Sequence, residues 1–359
     1  MKKKICTFRK KNIFKFTLIL CILSVLNLIS CTNIRNKYFE KSSIVMDTAV
    51  TLSASGDKSK EAVEESFKRL KEIEEMASTT IETSDIYKIN SASGKDYVQV
   101  HPEIMKMIQT SIKYSKLSNG AFDITLGPLI NLWGIGTDNE KLPKVEEIKD
   151  KLPLVGYDKI DVNEAEGSIM LKEKGMAVDL GGVAKGFAAD EVLKIYKKYD
   201  INNGLINLGS SSIYAFGKNK DNNKWSVGIK NPRSNDSNEY MGVIKLSNES
   251  LSTSGDYERY FIKDNKRYHH ILNPNTGYPV DNGAISDTIV INGDVEDNGM
   301  LADILTTTVF ALGPEKGIEL INSITGVSCE ITTSDYKVYT SDGFKDRIEN
   351  LKGDFKFVN

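Results

Sequence analysis

The chain has 359 residues, with 47 Lys and Arg against 49 Asp and Glu and a formal net charge of -2. Lys and Glu are interspersed rather than gathered into a basic stripe, so no nucleic-acid partner is expected. The length allows a substantial hydrophobic core. Three of the four cysteines fall at or before residue 31, which excludes a disulfide scaffold for the body.

In chain order, Lys2, Lys3, Lys4, Arg9, Lys10, Lys11 and Lys15 precede an apolar run from Phe16 to Leu28, the layout of a signal peptide. The run is shorter than the roughly 20 residues a spanning helix needs. It ends in Leu28-Ile29-Ser30-Cys31, a small residue before a cysteine, which resembles the lipobox of bacterial lipoproteins. Residues 1–30 are therefore expected to be removed, Cys31 to carry lipid, residues 31–41 to form a polar tether, and residues 42–359 to fold. That layout puts the protein on the extracytoplasmic face of a bacterial membrane, held by its lipid. Cys6 and Cys21 lie in the removed segment. Cys329, in the alternating stretch Gly326–Thr333, is expected to be a buried small hydrophobe on a strand, which disfavours thiol or redox catalysis.

From Asp57 to Ala77 apolar residues recur at Val63, Phe67, Leu70, Ile73 and Met76, the stripe of a core-facing helix. A second helix is expected over Pro102–Ser115, with Pro102 in its first turn. Others are expected near Ala184–Tyr199, Leu301–Leu312 and from Pro314. Strand-like runs cover Leu205–Leu208, Trp225–Ile229, Met241–Leu246, Tyr260–Lys263, Tyr268–Leu272 and Thr288–Ile291. Helices, then strands, then helices argue for one α+β domain. The irregular stretch Trp133–Pro143 has the composition of a loop over a site.

Four segments carry candidate chemistry. On a helix over Leu301–Leu312, Asp303 and Thr307 share one face, a hard-oxygen pair suited to Mg²⁺; an exposed helix face would show the same spacing without a metal. Asp179-Leu-Gly-Gly-Val-Ala-Lys-Gly186 reads as strand, glycine turn and helix start, offering backbone N–H groups and Lys185 to an anion. A tight turn with no ligand would look alike. In Ser118–Gly134, Phe122 and Trp133 are candidates to line a planar ligand and Asp123 to accept its protons, or equally to be core residues. His270 is a candidate general base because imidazole titrates near neutral pH.

Five segments in order resemble the ApbE-type FAD:protein FMN transferases: Ser84-Asp-Ile-Tyr-Lys-Ile-Asn90, Gly120-Ala-Phe-Asp-Ile-Thr125 through Gly134, the Asp179–Asp190 loop, His269–Pro279 and Ala302–Gly313. They cover nearly the whole body. The resemblance implies a single domain of mixed, largely antiparallel sheet packed with helices. It implies Mg²⁺-dependent cleavage of FAD and transfer of FMN, through its phosphate, to a threonine of a partner, such as a membrane redox pump subunit or an exported flavoprotein. Carried onto this chain, it implies that Asp303, Thr307 and the Gly182 carbonyl bind Mg²⁺, and that Met46, Ala121, Phe122, Asp123, Asp179, Lys185 and Ile271 contact FAD. Thr80, counted with these FAD contacts, stands where some relatives place a tyrosine that stacks on the flavin. His270 is implied to be the base near the incoming hydroxyl.

Three departures stand out. Asp47 follows Met46 where the family usually has glycine, and is expected to alter the backbone there. Ser210-Ser-Ser212 replaces a glycine-rich turn, and Asn273 replaces a common Asp, lowering the pKa of the presumed base. Asp303 is expected to be exposed, serving chemistry rather than packing. With water in place of threonine the same site would release FMN and AMP, so an FAD pyrophosphatase is the rival reading, followed by a flavin-binding lipoprotein without turnover.

Overall fold

The computed structural model describes residues 38–236 and 238–358; the basic leader, its apolar run and Cys31 lie outside the described residues. Strands β1 (Tyr38–Val45) and β2 (Thr48–Ser55) pair antiparallel across a two-residue turn in which Met46 and Asp47 both have φ 55°. Two successive left-handed residues match the twist of the flanking strands. Aspartate tolerates that conformation, so Asp47 needs no different turn. Tyr38–Lys41, read from the sequence as the end of the tether, form the first half of β1.

Helix α1 (Ser59–Ala77) buries Val63, Phe67, Leu70, Ile73 and Met76, the stripe its spacing dictates. Helix α2 (Asp85–Ser91) is capped by Ser84, whose side chain accepts the Tyr87 N–H. Helix α3 (Pro102–Leu117) follows, then α4 (Gly127–Trp133) and α5 (Val145–Lys151). Short strands β3 (Val98–Gln99), β4 (Ile160–Asn163) and β5 (Ser168–Leu171) make a small antiparallel sheet. Helix α6 (Ala184–Lys198) leads into β6 (Asn203–Leu208) and β7 (Ser212–Phe216).

Beyond these come β8 (Trp225–Lys230), β9 (Tyr240–Leu246), β10 (Glu249–Gly255) and the hairpin β11 (Tyr260–Lys263) and β12 (Lys266–His269). The strand expected over Tyr268–Leu272 thus stops at His269. Leu272 instead bridges to Pro279 and closes the Asn273–Tyr278 turn, drawing His270 out of the hairpin. Strand β13 (Ala284–Asn292), helices α7 (Asn298–Leu312) and α8 (Pro314–Asn322), and strands β14 (Val327–Thr333), β15 (Lys337–Thr340), β16 (Ile348–Glu349) and β17 (Lys356–Phe357) complete the chain.

The main sheet has nine strands in the order β1-β2-β6-β7-β10-β13-β14-β15-β17, antiparallel except for β15 and β17. On one face α1, α6 and α7 bury Leu52, Leu70, Val192, Ile206, Ile289 and Leu305. On the other, the three-stranded sheet β16-β9-β8 covers Ile213, Leu251 and Val290 with Ile229, Met241 and Ile244. Strand β13, central in the three layers, is buried from Ala284 to Ile291, which explains its apolar run Ile289-Val290-Ile291. Cys329 is fully buried on β14, as expected, on a strand buried from Cys329 to Thr333 on both faces. None of the described helices is long and apolar enough to cross a membrane.

Candidate active site

The glycine turn before α6 is held by residues distant in sequence. The Val178 N–H donates to Asn90 Oδ1 at 2.7 Å, and the Val178 carbonyl accepts from Asn90 Nδ2 at 3.0 Å. One residue on, the Asp179 N–H donates to the Ile124 carbonyl at 2.8 Å. Three of the five family-like segments are thereby bonded to one another. Asp179 Oδ1 accepts the Gly181 N–H at 2.7 Å, and Lys185 Nζ donates back to the Gly181 carbonyl at 3.3 Å. The turn therefore meets α6 at its first residues, where the helix dipole favours an anion.

Helix α7 lies against both α6 and the sheet. Asp190 accepts the N–H groups of Gly299 and Met300, each at 2.9 Å, and so caps α7 from a neighbouring helix. Burial raises its carboxyl to about 7, against the lowering effect of those two bonds. Gly186 must be glycine, since a Cβ there would sit 2.1 Å from the Gly299 carbonyl oxygen. One turn further along α7, Asp303 is only 4% exposed. Its Oδ2 accepts the Gly186 N–H at 2.6 Å, while Oδ1 accepts the hydroxyls of Ser212 at 2.6 Å and Ser252 at 2.8 Å. The expectation of an exposed carboxylate is thus overturned, because β7 and β10 close over that face of the helix. Thr306 donates to buried Asp287 at 2.7 Å, and Thr307, half-buried, turns toward the glycine turn.

Gly182, Thr307 and Phe122 meet there. A Cβ on Gly182 would lie 3.3 Å from Thr307 Oγ1 and 3.4 Å from Phe122 Cε2, so glycine leaves open the space between turn and helix. A carboxylate has about four acceptor positions; protein donors take three on Asp303, leaving one on Oδ2. The further ligands the resemblance implies are the Thr307 hydroxyl, which faces Gly182, and the Gly182 carbonyl. All are hard oxygens, and few in number, the set Mg²⁺ accepts while keeping waters and substrate phosphates. Among the described residues no three His, Cys, Asp or Glu side chains converge as a metal cluster. The donors present fit Mg²⁺.

His270 lies beyond the end of β12, its backbone N–H donating to the Arg259 carbonyl at 3.1 Å. Its Nδ1 lies 3.3 Å from the same oxygen. A carbonyl only accepts, so Nδ1 carries the proton and Nε2 keeps its lone pair. The ring retains accessible surface, yet protein surrounds it closely; burial first, then Arg259, His269 and Lys185, push its pKa down to about 3. It is neutral at physiological pH. Gly136 in the Trp133–Pro143 loop packs against Arg259, since a Cβ on it would be 3.2 Å from Arg259 Cδ. His269 is different in kind: buried, with Nε2 2.9 Å from the Val280 carbonyl and its ring edge-on to Phe310.

The other candidates divide. Ile271 is buried beside His270, its carbonyl accepting the Val280 N–H. Met46 lies in the β1–β2 turn, its N–H donating to Glu74 Oε1 at 2.7 Å. That turn abuts the β6–β7 turn: a Cβ on Gly209 would strike Thr48. Ala121 and Phe122 follow α3, with the Phe122 N–H donating to Ser118 Oγ. Asp123 is buried and committed to the protein, accepting from Thr125 N–H, Thr125 Oγ1 and Tyr157 N–H at 2.8, 2.6 and 2.9 Å. Trp133 is a core residue, fully buried against Leu129, Ile148 and Leu272, with Nε1 donating to the Gly277 carbonyl. Thr80 is exposed and its hydroxyl reaches Ser78 Oγ at 3.1 Å. Ser212, Ser252 and Asn90 escape sequence reasoning; the serine run Ser210–Ser212 was the visible signal for the first.

A site of this kind suits group transfer at phosphorus, where positioning and charge stabilisation do most of the work. Residues 46–331 match the ApbE family, and the chain belongs to it. The FAD:protein FMN transferase of Klebsiella pneumoniae (strain 342) is 31% identical over 293 residues, 82% of this chain and 89% of that protein. That of Treponema pallidum (strain Nichols) is 30% identical over 310 residues, 83% of each. Among solved structures, the ApbE protein of Thermotoga maritima has a TM-score of 0.78 at 30% identity, covering 88% of this chain and 100% of that one. The flavin transferase ApbE of Vibrio cholerae has a TM-score of 0.76 at 26% identity, covering 87% and 99%.

Proposed function

We propose that this ApbE-family transferase moves FMN from FAD to a threonine of a partner flavoprotein, with AMP as the leaving group and Mg²⁺ as the cation. The threonine hydroxyl oxygen forms a bond to the FMN phosphorus, the bond from that phosphorus to the bridging oxygen breaks, and AMP departs with the bridging oxygen. His270 Nε2 accepts the hydroxyl proton. Burial depresses His270 most, and Arg259 and Lys185 add to it; those two charges are the ones a pyrophosphate would neutralise, so an anionic substrate offsets part of the depression. Lys185, on the first turn of α6, holds phosphate oxygens, and Phe122 borders the same space. Asp303, Thr307 and the Gly182 carbonyl hold the cation, which when bound neutralises charge on the pyrophosphate.

The observation that carries this reading is the meeting of Gly182, Thr307 and Phe122 one helical turn from Asp303. The likeness to named FAD:protein FMN transferases supports the substrate. The basic leader, its apolar run and Ser30-Cys31 support export and a lipid anchor on the extracytoplasmic face. Incubation of the purified protein with FAD, MgCl₂ and exported candidate acceptors, followed by mass spectrometry, tests it. The expected result is an acceptor heavier by one FMN with an equal amount of AMP, abolished by chelation. Free FMN and AMP with no acceptor gain would establish hydrolysis instead.

A further inference from the structure

We propose that Ser212 and Ser252 are positioning residues, whose two hydroxyls hold Asp303 so that its last acceptor position, on Oδ2, serves a cation shared with Thr307 and Gly182. The inference rests on the reading of Asp303 and Thr307 as cation ligands. Ser212 on β7 and Ser252 on β10 are directly opposite in the sheet register. Both are buried, and both donate to the same atom, Oδ1, at 2.6 and 2.8 Å. With two hydroxyls on Oδ1 and the Gly186 N–H on Oδ2, the carboxylate is fixed in rotation and its free lone pair is fixed with it. A carboxylate left to rotate would give Oδ2 no constant direction, and partners that orient a ligand are worth about 10- to 100-fold in metal affinity.

The same strand supplies a control. Ser250, two residues before Ser252 and on the same face, is as deeply buried, yet donates at 2.9 Å to the Asn298 carbonyl at the start of α7 rather than to Asp303. A serine that merely ties sheet to helix should behave like Ser250.

The test uses Mn²⁺ binding to the protein by electron paramagnetic resonance, the Mg²⁺ dependence of AMP release from FAD, and flavin fluorescence for FAD affinity. In S212A/S252A, Mn²⁺ affinity and the Mg²⁺ needed for half-maximal rate should worsen by about 10- to 100-fold, with FAD affinity unchanged and the rate largely recovered at saturating Mg²⁺. Ser252→Thr, which restores a hydroxyl, should return the titration toward wild type. Ser250→Ala should lose stability without moving it. If the double variant does not fold, the single variants are read by the same criteria. Wild-type titrations in folded serine variants, or an equal shift from Ser250→Ala, would overturn the positioning role alone. A wild-type protein indifferent to divalent cations would overturn the cation reading and this inference together.

Discussion

Gly182 and Thr307 face each other so closely that a Cβ on residue 182 would lie 3.3 Å from the threonine hydroxyl. Gly182→Ala therefore fills the space between turn and helix. Overpacking costs about 1 kcal/mol or more unless neighbours shift, so a modest fall in melting temperature is expected. The larger effect should be a raised Mg²⁺ requirement and slower turnover. Wild-type turnover at limiting Mg²⁺ would show that the space is not used.

Asp303→Ala should cost both activity and stability. It strands the Gly186 N–H and the hydroxyls of Ser212 and Ser252 in a buried setting, a loss of roughly 3 kcal/mol. Asp303→Asn, which keeps one carbonyl oxygen, should retain more stability than activity. Urea unfolding of the two variants separates the effects; an alanine variant with the wild-type midpoint contradicts the bonding described.

The two adjacent histidines should part company. His270→Ala should slow transfer by about 10²- to 10⁴-fold with FAD affinity and melting temperature nearly unchanged. His269→Ala removes a buried ring packed on Phe310 and should cost about 2–4 kcal/mol. Equal losses that track folded protein in both would take His270 out of the chemistry.

A pH dependence of stability follows from Glu330. It is fully buried, accepts one hydroxyl from Thr332 at 2.8 Å, and burial raises its carboxyl from 4.5 to about 7. The native state then holds a proton the unfolded chain has released, so this contribution is complete below about pH 4.5 and is lost as pH rises toward 7. Each unit of difference corresponds to about 1.4 kcal/mol. Glu330→Gln should be more stable than wild type at pH 8, with the advantage shrinking toward pH 4. Unfolding midpoints that keep a constant gap across that range refute the assignment.

Cys31→Ser should leave turnover unchanged in solution and move the protein out of the membrane fraction of cells. Membrane retention of the serine variant would point to an uncleaved leader in place of a lipid anchor.

What the sequence settled by itself is local. The 3.6-residue stripe of α1, Pro102 in the first turn of α3, the strand around Cys329 and the glycine turn before α6 each depend on neighbours a few residues away, and the structure has all of them, although β14 is buried on both faces from Cys329 to Thr333. The order of five short segments was enough to place the chain in its family. The i, i+4 spacing of Asp303 and Thr307 correctly put both on one helix. It carried no information on what covers that helix. The partners of Asp303 are 117, 91 and 51 residues away on α6, β7 and β10, and Asn90, which bonds Val178, is 88 residues away on α2. Only the pairing of β7 with β10 and the packing of α7 on both bury the carboxylate, just as burial of His270, with Arg259, His269 and Lys185 around it, lowers the pKa of its imidazole. Periodicity reports which residues share a face; burial and ionisation depend on long-range contacts that exist only once the chain has closed on itself.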